Sequence, residues 1–139
     1  MREVTPDKAK ARSLLKMANK TMRRIKRTDI EEFPSQALKD YYSVSKQLME
    51  ALSCLEGIKM EGKGAHKKLI NWVVRNYDFS ESNRRLLQQF RKNRNRIIYE
   101  GFFVTEDYLL RNREKIEEII RGLREKVEQE INSSKTDSK

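Results

Sequence analysis

Between Arg91 and Arg96 the chain reads R-K-N-R-N-R, four cations and two amides in six residues, before I-I-Y-E-G-F-F turns it apolar and then aromatic. On a helix, Arg91, Asn95 and Tyr99 lie four residues apart and form one line, with Arg94 beside it. A guanidinium, an amide and a phenol then converge on one surface. The set suits an anion or a nucleotide, because arginine offers forked donors to phosphate and tyrosine can stack on a base or donate a hydrogen bond. Arg91, Arg94, Asn95, Arg96 and Tyr99 are the candidate phosphate-binding residues, and Arg94, Asn95 and Tyr99 the candidates for catalysis. The plainer alternative is a solvated basic helix face that carries one aromatic.

Other residues with chemical potential carry less. The stretch Gly57-Ile-Lys-Met-Glu-Gly62-Lys63-Gly64 copies most of a P-loop, but Gly64 stands where a Ser or Thr should hold magnesium, and a helix precedes it rather than a strand. Its glycines more simply serve a turn. His66, just after that turn, has no companion histidine or cysteine nearby in sequence and is expected to be exposed or capping. Cys54 falls beside an apolar stripe, where a small buried thiol is ordinary packing. With one cysteine and one histidine in the chain, no tetrahedral metal site and no internal disulfide are expected, and no cofactor is called for.

The elements that must position the basic strip read as five helices. Thr5-Pro6-Asp7 suggests a cap with proline in the first turn, and Ala11, Leu14, Ala18, Met22 and Ile25 recur at helical spacing, so a basic first helix is expected over about 6–27. Phe33-Pro34-Ser35 starts a second, whose stripe of Ala37, Tyr41, Val44, Leu48, Leu52 and Leu55 ends at Gly57. A third spans His66 to Tyr77, with the Trp72 indole expected in the core. The fourth runs from Glu81 to Glu100 and Gly101 closes it. On it Leu86, Phe90 and Ile97 share a core-facing line that Asn93 interrupts, and a buried amide there needs a partner. Thr105 caps a fifth helix that ends near Ile131. The expected fold is all-α, an antiparallel four- to five-helix up-and-down bundle in one domain over 1–132. Residues 133–139 have no apolar anchor and read as a disordered tail.

Composition agrees with helices. Among 139 residues there are five glycines and two prolines, and 37% are charged. No apolar run approaches a membrane span. Met1 to Lys10 is charged and mixed, so no secretory signal is expected and the cytoplasm is the expected location. The net charge of +10 favours an anionic partner. The excess is uneven: Met1 to Thr28 carries ten Lys and Arg against Glu3 and Asp7.

Arg94-Asn95-Arg96-Ile97-Ile98-Tyr99, near the end of the fourth helix, resembles the signature of HEPN domains, in which an Arg, often followed by Asn, precedes a His by four to six positions. Tyr41-Tyr42 in the second helix, Glu56-Gly57-Ile-Lys leading to His66-Lys-Lys-Leu, and a long helix after Gly101 extend the likeness over roughly residues 31–131. The resemblance implies a helical bundle, usually a homodimer with the motif helices facing each other. It also implies either metal-independent ribonuclease activity of a toxin type or partnership with a minimal nucleotidyltransferase. This chain has Tyr99 where the family has its histidine. A tyrosine near its ordinary pKa of about 10 is a poor base at neutral pH. The position two residues further, a tyrosine in one toxin subgroup, is Gly101.

The expectation is therefore a dimeric HEPN-type domain that binds RNA, a nucleotide or a nucleotidyltransferase partner without efficient catalysis. The alternatives are a ribonuclease using Arg94, Asn95 and Tyr99, with His66 reaching the groove from the third helix, and a helical interaction scaffold.

Overall fold

The computed structural model describes residues 1–137, with side chains to Ser133. It is mostly helical: α1 spans Lys8–Arg27, α2 Pro34–Glu56, α3 Ala65–Asn76, α4 Glu81–Glu100 and α5 Glu106–Asp137, with two short strands, β1 (Arg2–Glu3) and β2 (Ile58–Lys59). None of the described helices is long and apolar enough to cross a membrane.

The helix ends follow local chemistry. Pro34 occupies the first turn of α2, and Gly57 ends that helix in the left-handed region at φ 69°. Ser80 and Asn83 form a reciprocal capping box for α4, each side chain accepting from the other's backbone N–H at 3.0 and 3.1 Å. Gly101 closes α4, again left-handed at φ 65°. The Thr105 hydroxyl accepts from the Tyr108 N–H at 3.1 Å and starts α5.

Three expectations need correction here. The first helix begins at Lys8, because the Asp7 carboxylate accepts from the Lys10 N–H at 2.9 Å and so takes the capping role expected of Thr5. The backbone of α5 continues to Asp137 instead of ending near Ile131, and positions 138 and 139 of the expected tail lie outside the described residues. The segment after Gly57 is also more than a turn. Ile58 and Lys59 pair antiparallel with Glu3 and Arg2. The Val4 N–H donates to the Gly57 carbonyl at 2.8 Å, and the Asp7 N–H to that of Cys54 at 3.1 Å, binding the N-terminal arm to the end of α2.

Helix α2 is the hub, since it packs against each of the other four helices. Its apolar residues are buried on several sides: Ala37, Leu38, Tyr41, Val44, Leu48, Met49 and Leu52 all lie in the core. Around it, α1 contributes Ala11, Ala18 and Ile25, one every two turns, and α5 contributes Leu109, Ile116, Ile120, Leu123 and Val127. Two polar groups within this interior are tied down. Asp40 is clasped by Arg24 of α1, and the Tyr41 hydroxyl donates to Glu117 of α5 at 2.6 Å. The helices that carry the basic strip and His66, α4 and α3, pack on each other and on α2. That three-way contact builds the site below.

Candidate functional site

Helix α4 presents the residues singled out by spacing, but they do not all point to one place. Arg91, Arg94 and Asn95 are half-buried, whereas Arg96 and Tyr99 are exposed. Arg94 donates to the Asn95 side-chain oxygen at 3.1 Å, and Arg91 donates to Gln88 at 2.7 Å. Gln88 is buried and donates in turn to the Lys67 carbonyl and the Asn71 side chain, at 3.1 and 3.2 Å, so an amide network from α3 holds Arg91 in place. Arg96 departs from the expected set: its guanidinium lies 3.8 Å from the centre of the Phe102 ring and 3.9 Å from the Glu100 carboxylate. It stacks at the far end of the helix instead of joining Arg91 and Arg94. Tyr99 is 77% exposed and Phe103 is 83% exposed, with Ile98 and Leu110 also open to solvent nearby in sequence.

Asn93, the amide that interrupts the core-facing line, lies beside the Tyr108 hydroxyl, where its hydrogen bond counters the upward push of burial on that phenol. Trp72 is only half-buried, contrary to expectation, and meets Tyr77 edge-on at 5.7 Å.

Two residues from other helices complete the neighbourhood of Arg91 and Arg94. Tyr42 of α2 is 1% exposed, and its hydroxyl has no hydrogen-bond partner among the described residues. The Arg94 guanidinium stands 5.9 Å from the centre of its ring. Burial pushes the Tyr42 phenol up to about 12, Arg91 and Arg94 pull it back, and Glu50 adds to the rise. His66 of α3 is half-buried, and Gly64, not His66, is the N-terminal cap of its helix. Its pKa is lowered, first by burial and then by the charges of Lys46, Arg94 and Arg91. The same two arginines therefore act on both Tyr42 and His66, and Lys46 joins them from α2.

None of Lys46, Arg91 and Arg94 has a carboxylate in ion-pair range among the described salt bridges. Like charges gathered without acidic partners repel one another, and the arrangement becomes favourable when an anion enters it. Glu50 acts on Tyr42 from the α2 line, one turn past Lys46. His66 and Glu50 also line a cavity of about 350 Å³ between the N-terminal arm, α2 and α3, whose walls include Val4, Ile58, Met60 and Leu69. Cys54 is free, half-buried and on the wall of the same cavity, with its thiol pushed up by burial. Among the described residues no three His, Cys, Asp or Glu side chains stand together as a metal set.

Sequence reasoning found Arg91, Arg94 and Asn95 and considered His66, but it assigned no role to Lys46 or to the hydroxyl of Tyr42. A signal was present. Tyr42, Lys46 and Glu50 are spaced by four along α2, the same step that marked Arg91, Asn95 and Tyr99 on α4.

Comparison with family models, with curated proteins and with solved structures returned no match.

Proposed function

We propose that this chain is a HEPN-type antiparallel up-and-down helical bundle, dimeric through α4, that binds a phosphate-bearing ligand, RNA or a nucleotide, without efficient catalysis. The observation that carries the reading is that Arg94 stands 5.9 Å from the Tyr42 ring centre, Arg91 and Arg94 act on both Tyr42 and His66, and Lys46 acts on His66, while none of the three cations has an ion-paired carboxylate among the described salt bridges. Fixed cations of this kind attract phosphates and gain from counterion release. The lack of efficient catalysis follows from Tyr99, which puts a phenol where the resembled motif has the imidazole that moves the proton. A minimal nucleotidyltransferase, the partner that the resemblance implies, would be a competing protein ligand.

The test is binding of a short single-stranded oligoribonucleotide over a series of salt concentrations. Affinity that falls linearly on a log-log plot supports the reading. No binding at low salt overturns it.

A second reading has its own support. His66 lies in the field of both arginines and is held towards its neutral form, the form a general base requires. In that reading His66 takes the proton of the ribose 2′-hydroxyl while its oxygen attacks phosphorus, the 5′-oxygen leaves, and Arg94 stabilises the charge on the phosphate. Cleavage of RNA in EDTA, abolished by His66→Gln, would place this reading first.

A further inference from the structure

The reading above leaves the class of phosphate open, and a buried hydroxyl, a histidine and a cavity speak to it. A phosphodiester carries one charge per phosphate. A terminal phosphomonoester carries about 1.5 to 2 charges at neutral pH and three strong acceptor oxygens. Tyr42, Lys46, His66, Arg91 and Arg94 supply three fixed cations, one titratable ring and one unpartnered O–H donor from three helices. That is more positive charge than one diester neutralises.

We propose that these five side chains together bind a dianionic terminal phosphate, the phosphomonoester end of a mononucleotide or of an RNA strand, beside the cavity that His66 lines. The proposal rests on the phosphate-binding reading and narrows it. Tyr42 is the independent observation: its hydroxyl is fully enclosed, unpartnered and under the influence of both arginines. Leaving a buried donor unpaired is unfavourable, so the site gains when the Arg94 side chain shifts off the Tyr42 ring and a phosphate oxygen accepts from the hydroxyl. Arg94 stands over the Tyr42 ring and its one described hydrogen bond is to its neighbour Asn95. An anion that engages this guanidinium arrives beside the phenol. His66 faces both the cluster and the neighbouring cavity, so the remainder of the ligand has adjacent space of about 350 Å³.

The charges around His66 set the sign of the pH dependence. From α2 it faces Lys46 and Glu50, and from α4 Arg91 and Arg94. Across the cavity stand Arg2, Asp7, Lys10 and Lys59. Burial first, and then the charges of Lys46, Arg94 and Arg91, hold His66 below its ordinary value in the free protein. A bound dianion reverses the local field and raises it, so binding takes up a proton and tightens as pH falls from about 8 towards the second phosphate pKa of about 6.

The experiment uses the full chain and its single histidine, whose ring signals need no assignment against others. The ring is titrated by NMR alone, with inorganic phosphate, with adenosine 5′-monophosphate and with dimethyl phosphate. In parallel, the affinity of a 5′-phosphorylated oligoribonucleotide is compared with that of its 5′-hydroxyl counterpart. The expected result is a rise of about one unit or more in the His66 pKa with the monoesters, and none with the diester. Tighter binding of the phosphorylated strand by about tenfold or more is also expected, with that preference lost in Tyr42→Phe and Lys46→Gln. A response to adenosine 5′-monophosphate that exceeds the response to phosphate assigns the site to a mononucleotide, and an equal response to an RNA end. Tyr42→Phe removes only an unpartnered hydroxyl, so its fold is retained and circular dichroism checks this. If both strands bind alike, His66 does not move, and Arg94→Ala weakens both, the inference fails while the phosphate-binding reading stands. If no probe and no strand binds, both fail.

Discussion

The guanidinium of Arg94 on α4 stands 5.9 Å from the centre of the Tyr42 ring on α2, and the two side chains join the strip of α4 to the hub of the fold. A cation over an aromatic face at a half-exposed site is worth about 0.5 to 1 kcal/mol. A charge-assisted contact to phosphate is worth about 1.5 to 3 kcal/mol. Arg94→Ala is therefore expected to weaken RNA binding by about tenfold or more while the melting temperature changes little. The log-log salt slope should become shallower by roughly 0.7 to 0.9 per lost phosphate contact. A lower melting temperature with unchanged affinity would make Arg94 architectural and favour an interaction scaffold.

Tyr99 sits where the resembled motif has its histidine, and its side chain is 77% exposed. The unmodified chain is expected to leave labelled RNA intact in EDTA, and Tyr99→His to introduce metal-independent cleavage. Efficient cleavage by the unmodified chain would contradict this.

Exposed Ile98, Tyr99 and Phe103 at the end of α4, with Leu110 on α5, are the apolar surface that a dimer through α4 would cover. Light scattering at micromolar concentration should show a dimer, and Phe103→Glu should shift it towards monomer. A monomeric unmodified chain would exclude the dimer.

Gly57 ends α2 at φ 69°, and a Cβ there would lie 2.6 Å from the Val4 carbonyl oxygen. Gly57→Ala combines a left-handed penalty of roughly 1 to 2 kcal/mol with displacement of the N-terminal arm. Thermal unfolding should show the loss of stability. Hydrogen exchange should show lost protection of the Val4 amide, which now donates to the Gly57 carbonyl at 2.8 Å.

Arg24 and Asp40 form a two-pronged pair, at 3.0 and 2.7 Å, between α1 and α2. The Asp40 side chain is 4% exposed and that of Arg24 63%. Removing the arginine strands a buried carboxylate with Gln36 as its remaining described donor, at 3.2 Å, whereas removing the carboxylate leaves a guanidinium already in water. Arg24→Ala is expected to cost roughly 1 to 3 kcal/mol. Asp40→Asn is expected to cost less. Urea unfolding of both variants checks the order, and equal losses would refute the asymmetry.

By itself the sequence determined the helices, because their ends depend on residues within one turn. Pro34, the Ser80 and Asn83 box, Gly57 and Gly101 act on neighbouring backbone groups, and each marks a boundary that spacing alone makes legible. It likewise placed Arg91, Asn95 and Tyr99 on one line of α4. It misplaced the start of α1 because Thr5 and Asp7 both suit a cap, and the choice fell to the carboxylate within reach of the Lys10 N–H. The β1 and β2 pairing was illegible: two strands of two residues each carry no period, and they meet only because the arm folds back onto the end of α2. The candidate site divides in the same way. Its α4 half was written in local spacing, but Tyr42, Lys46 and His66 come from α2 and α3, more than twenty positions away in sequence. Packing of three helices decided that they meet Arg91 and Arg94, and that Arg96 turns away to Phe102. Charges at that separation interact only once the core has closed, because burial and proximity, not residue type, set the field each one feels.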